Sequence, residues 1–203
     1  MKPLIIILLL TFFNACSSDK KETAKTEKYS IDPAIIADAS RYTRTENGEL
    51  QGQIQVTMYI NDSVEVENHK NHERIPYNIS TSEDKDTLTI VGWAAAFQNA
   101  GMGYMIKITT DGYEVFYGID TGIDGNYKLN SGDPAYSHGI WVPAVKSKLV
   151  LSKKPEPSKP GIHPLLGFVD FETRDFYEKN KKNEKVEDVL DKIKVRMSAY
   201  FKT

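Results

Sequence analysis

The chain has a single cysteine, Cys16, in 203 residues. A lone thiol excludes an internal disulfide, and an unpaired one is a liability in an oxidising compartment. No stretch reaches the ~20 consecutive apolar residues that a membrane-spanning helix needs. Neither sign of charge is in excess: 26 Lys and Arg stand against 28 Asp and Glu, a net charge of −2. That balance offers no electrostatic ground for a nucleic-acid partner. Heptads and repeats of solenoid length are absent, and no serine sits in a G-x-S-x-G elbow. Gly101-Met102-Gly103 is followed by strand-like residues where a phosphate loop requires a helix, so no nucleotide cofactor is implied. The glycines there fit close backbone packing instead.

What is present begins at the N-terminus. Lys2 supplies a short positive end, and Leu4 to Phe13 runs without charge, apolar except for Thr11. Ten residues at about 1.5 Å rise cover only ~15 Å of a ~30 Å hydrocarbon core, the anatomy of an export signal rather than a span. The run ends in Phe13-Asn14-Ala15-Cys16. This resembles the lipobox of bacterial lipoprotein precursors, with a small residue before the cysteine. Phe13 and Asn14 stand where that family prefers Leu and then Ala or Ser, a relaxation similar to that of Bacteroidetes-type lipoproteins. The resemblance covers about the first twenty residues. It implies cleavage before Cys16, acylation of its sulfur and a membrane anchor of three acyl chains, effectively permanent since two already hold stably. It also accounts for a solitary thiol. Residues 1–15 are thus expected to be a signal peptide and 16–29 a disordered, lipidated tether without large apolar residues. Ser17 takes the position where Asp would retain an enterobacterial lipoprotein at the inner membrane, so the resemblance points to the outer membrane.

Removal of residues 1–15 takes Lys2 with it, leaving 25 basic against 28 acidic residues, net −3. Residues 30–203 then suit one domain with a substantial core. Asp32-Pro33 predicts a helix start, with a short helix to about Tyr42. From there period-two patterns dominate. Gln51–Ile60 alternates and closes on a turn at Asn61-Asp62. Further strands are expected at Ile75–Ser80, Thr87–Trp93, Tyr104–Thr110, Tyr113–Ile119, Gly139–Val145, Lys148–Ser152 and Gly167–Thr173. Asp111-Gly112 predicts a two-residue type I′ hairpin. Four of the nine prolines lie in Lys153 to Pro164, which should run extended over the surface. Val186, Val189, Leu190 and Ile193 recur at helical spacing and predict a short amphipathic helix, followed by a closing strand to Phe201. The expected fold is mainly β: an antiparallel β-sandwich or barrel-like domain with one or two short helices.

Candidate sites are few. His69 and His72 lie in a polar stretch between strands, whereas zinc motifs use a helix to place both imidazoles on one face. Asp120-Thr121-Gly122-Ile123-Asp124-Gly125-Asn126 resembles a calcium loop in its alternating oxygens. It has Gly122 and Ser131 where an EF-hand requires Asp or Asn and Glu, so it reads as a Gly/Asp turn with Asp133 further on. No metal is assigned. Aromatics crowd the stretch from Tyr104 to Trp141 and fall on both faces of the strand at Tyr113–Ile119, so one face would line a cleft for a sugar, a lipid or a protein. The binding set read from this segment is Tyr113, Tyr117, Asp120, Asp124, Tyr136, His138 and Trp141. The leading expectation is a non-enzymatic envelope lipoprotein whose domain binds a small ligand or another envelope protein. The alternatives are a hydrolase or metal-dependent enzyme using Asp120, Asp124 and His138 or the His69/His72 loop, and an immunity or inhibitor protein presenting a rigid sheet.

Overall fold

The computed structural model describes residues 26–36, 43–44, 50–52, 54–67, 75–95, 101–122, 125–155, 165–179 and 189–203. The expected signal peptide, Cys16, most of the expected tether, the His69/His72 loop, Asp124 and most of the proline-rich stretch lie outside these residues. Among the described residues fourteen strands follow one another: β1 (Ser30–Ile31), β2 (Thr43–Arg44), β3 (Leu50–Gly52), β4 (Ile54–Ile60), β5 (Ser63–Glu67), β6 (Ile75–Asp84), β7 (Thr87–Ala95), β8 (Gly101–Ile108), β9 (Tyr113–Asp120), β10 (Tyr127–Lys128), β11 (Gly139–Leu151), β12 (Leu166–Thr173), β13 (Phe176–Lys179) and β14 (Leu190–Lys202). The chain is mainly β and almost wholly antiparallel, as the alternation predicts.

The hydrogen-bonded order runs β14-β12-β11-β9-β8-β7-β6. At the β6 end the next partner is β3, and at the β14 end it is β4. Only residue 53 separates β3 from β4, so one stretch of chain carries both ends of the sheet and the sheet curls barrel-like on itself. The Tyr77 hydroxyl of β6 donates to the Tyr200 carbonyl of β14 across the same junction. Period-two residues from successive strands meet inside: Ile90, Tyr104, Ile106, Val115, Tyr117, Val142, Leu149, Val169, Phe171, Val195, Met197 and Phe201 are all essentially inaccessible. Each aliphatic, methionine or phenylalanine side chain among them contributes about 1.5–3 kcal/mol of transfer free energy.

Regular pairing is interrupted at several points, including the β4–β5 pair, whose register shifts between Met58 and Tyr59. The stretch read as two strands, Gly139–Val145 and Lys148–Ser152, is one: β11 pairs with β9 through Pro143, then with β12, with its register shifting between Ala144 and Lys146. The bulge leaves Val145 and Lys146 both outside and sets Ser147, Leu149 and Leu151 inward. Where β11 leaves β9, residues 27–32 fill the gap. Glu27 exchanges backbone hydrogen bonds with Tyr113, and β1 pairs in parallel with Val150 and Leu151. Among the described residues, pairing begins at Glu27, inside the stretch 16–29 assigned to the tether. Strands β12 and β13 form a second interrupted strand along β14, broken at residues 174–175. At the break the buried Thr173 hydroxyl accepts the Val195 N–H at 3.0 Å, standing in for a missing carbonyl.

Residues 33–36 form one 3₁₀ turn, with the Asp32 carboxylate accepting the Ala34 N–H at 2.9 Å. Leu190 and Ile193 belong to β14 and not to a helix: Ile193, Val195, Met197, Ala199 and Phe201 alternate inward, and pairing on both flanks overrides the helical spacing. Asn61 and Asp62 both adopt positive φ, 49° and 68°, in the β4–β5 turn. The β8–β9 hairpin is wider than the expected two-residue turn. Its last pair is Ile108 with Tyr113, and Thr109 takes up the loop by hydrogen bonding to Gly112 and Asp111.

Thr173→Val keeps shape but leaves the Val195 N–H unpaired in a dry site, so it should cost about 1–3 kcal/mol, read as a lower urea midpoint at unchanged slope. Burial also raises the hydroxyl pKa of Tyr77 and Tyr117 well above the usual 10.0. The unfolded chain ionises near 10.0, so their stabilising effect is complete below that pH and is lost above it, at roughly 1.4 kcal/mol per pH unit for each. Far-UV circular dichroism should collapse cooperatively above about pH 10, together with a late rise in tyrosinate absorbance. Titration of every tyrosine while the sheet signal persists would contradict the buried placement.

Candidate functional site

Of the binding set read from sequence, Asp124 lies outside the described residues, Tyr136 and His138 lie in the loop before β11, and the strand residues fall on opposite faces of the sheet. Tyr113 and Tyr117 share the inner face of β9 and are buried. The Tyr113 hydroxyl lies 3.3 Å from both the Glu27 carboxylate and the Ser147 hydroxyl. Burial, the largest effect, raises its pKa, and the Glu27 charge adds to this. Tyr117 packs against Phe176 at 6.0 Å, and its hydroxyl has no hydrogen-bond partner among the described residues. Both are core residues and line no outer cleft. Tyr136 lies beyond β10, with the Lys128 ammonium 4.3 Å from its ring centre and that of Lys179 at 5.9 Å. His138 is exposed, and its carbonyl accepts the Thr121 N–H at 3.1 Å. The Asp133 carboxylate closes its own turn on the Asn130 backbone and side-chain amides, at 2.8 and 3.1 Å, and these bonds lower its pKa. Among the described residues, no three His, Cys, Asp or Glu side chains gather in a way that could hold a metal ion.

Trp141 and Asp120 do fall together, on the outer face, with a residue that sequence reading did not select. Pairing places Trp93 opposite Gly103, Gly103 opposite Gly118, and Gly118 opposite Trp141. One row across β7, β8, β9 and β11 therefore reads Trp-Gly-Gly-Trp. The two indoles stand 5.9 Å apart between centres and are tilted by 56°. Glycine is what admits them. A Cβ on Gly118 would stand 2.5 Å from Cζ3 of Trp141 and 2.8 Å from Cζ3 of Trp93. One on Gly101 would stand 2.6 Å from the Trp93 Nε1. The Trp93 indole thus reaches from β7 over β8 to β9, close against the backbone. Trp141 remains 39% exposed.

The next row pairs Ala95 with Gly101, Gly101 with Asp120, and Asp120 with Gly139. Asp120 therefore has glycine on both flanks. One of its oxygens accepts the Gly122 N–H at 2.7 Å. The other would be 3.1 Å from a Cβ at Gly139, so glycine keeps that flank clear. This row and the row beside it hold one acidic side chain, Asp120, at the margin of an aromatic floor. Trp93 escaped sequence reading because its partners, Gly103 and Gly118, are distant in the chain and only strand register aligns them.

No protein family, curated protein or solved structure matches the chain.

Gly118→Ala should push the indoles off the sheet. Both tryptophans of the chain lie in this row, so intrinsic emission should shift to the red and acrylamide quenching should rise. The strain should cost about 1–3 kcal/mol. Unchanged emission would contradict the glycine-seated arrangement.

Proposed function

We propose that the protein is an envelope lipoprotein, held by acylated Cys16 at the outer membrane, whose β domain is a non-enzymatic module that binds a ligand or another envelope protein. The observation carrying the anchor is the position of the chain's one cysteine, directly after an apolar run of signal length and Ala15. A charged, apolar-poor segment follows, suited to hold the domain a short distance from the bilayer. The binding reading rests on the Trp93/Trp141 row. The outward indoles add nothing to the interior core, yet three strand positions carry glycine to seat them, at a cost in strand propensity. Partly exposed aromatics grouped on a rigid sheet beside a polar group are a recognition surface.

Cys16→Ala should abolish incorporation of labelled palmitate and release the protein from membranes. Palmitate labelling undiminished by the substitution would sink the lipoprotein reading.

A further inference from the structure

We propose that Trp93, Trp141 and Asp120 form a binding site for a neutral pyranose ring, as presented along a polysaccharide chain. The inference rests on the reading of the domain as a binding module and names its ligand class. A pyranose ring offers an apolar face of C–H bonds with partial positive charge and an equatorial rim of hydroxyls. The first suits the negative face of an indole, and the second suits a carboxylate that accepts charge-assisted hydrogen bonds. Both are present in adjacent rows of one sheet face. The 56° tilt and 5.9 Å separation make a corner in which one indole can take the ring face while the other meets its edge. The glycine seat fixes the Trp93 ring before any ligand arrives, so less side-chain entropy is lost on binding.

The same geometry disfavours the competing ligands. A cage for a quaternary ammonium surrounds the cation with ring faces, whereas Trp93 lies along the sheet and leaves an open floor. The two rows hold an acidic side chain, Asp120, and no basic one, which disfavours acidic sugars. A charged residue inside the patch also fits poorly with the core of a protein interface, where charges are depleted.

Both tryptophans of the chain belong to the site, so emission from the full-length lipidated protein, in a detergent without a sugar headgroup, reports on it directly. Titration with cellohexaose, xylohexaose, mannohexaose and maltohexaose should give a saturable change with at least one of them. Asp120→Asn and Trp141→Ala should each weaken that response by about tenfold or more. The conservative Asp120→Asn variant guards against a folding defect in Trp141→Ala. Silence with all four sugars but saturable quenching by tetramethylammonium overturns the glycan and leaves the binding module standing. Silence with sugars while a photo-crosslinking residue at Val145, exposed on the same strand as Trp141, captures a discrete protein in cells has the same consequence. Silence with every probe and no adduct from Val145 overturns both readings. An equal response from Asp120→Asn and the parent protein removes the carboxylate from the site and overturns the proposal as stated.

Discussion

Cross-strand pairing of glycine with a large aromatic is the contact on which much of this structure depends. Inside the sheet, Gly92 faces Tyr104 and Gly167 faces Phe201. A Cβ at Gly92 would lie 2.3 Å from the Tyr104 ring, and one at Gly167 would lie 2.2 Å from that of Phe201. At these positions an aromatic folds over its neighbour's bare backbone and fills the space a side chain would take. Outside, Gly103 and Gly118 do the same for Trp93 and Trp141, but there the ring contributes to no core. One local device thus serves packing on the concave side and presentation on the convex side.

Curvature has a second set of consequences, at the places where the ladder breaks. Strand β11 serves both β9 and β12 by means of its bulge, and the space it vacates beside β9 is taken by residues 27–32. The Glu27 carboxylate there meets the Tyr113 and Ser147 hydroxyls, tying the start of the domain to the β8–β9 turn. At the break between β12 and β13 a threonine hydroxyl replaces a carbonyl. Both interruptions are bridged by local hydrogen bonds, which lets one sheet bend around a single core.

Much of the fold was legible because a strand with one buried face must alternate. Ile54, Val56, Met58 and Ile60 on β4, and Tyr113, Val115 and Tyr117 on β9, show this directly. Legibility failed where two neighbours act on one strand. Leu190 and Ile193 have helical spacing, but β13 and β4 flank them and decide the conformation. The break at Val145 looked like the end of a strand because a bulge reverses the alternation while the strand continues. Tyr117 was grouped with Trp141 as a binding residue although β9 turns it inward; aromatic content alone carries no information about face when both faces are aromatic.

The sequence alone determined the things set by local chemistry. These are a mainly β chain, turns at Asn61-Asp62 and near Asp111-Gly112, and a lone Cys16 behind a short apolar run that carries the proposed anchor. Tertiary structure alone decided which residues share a surface. Trp93, Gly103, Gly118 and Trp141 span nearly fifty positions of chain, and nothing in their spacing links them. They align because antiparallel register sets residues opposite one another by distance from each turn, and each turn and bulge along the way shifts that count. Asp120 gains its place beside the indoles for the same reason.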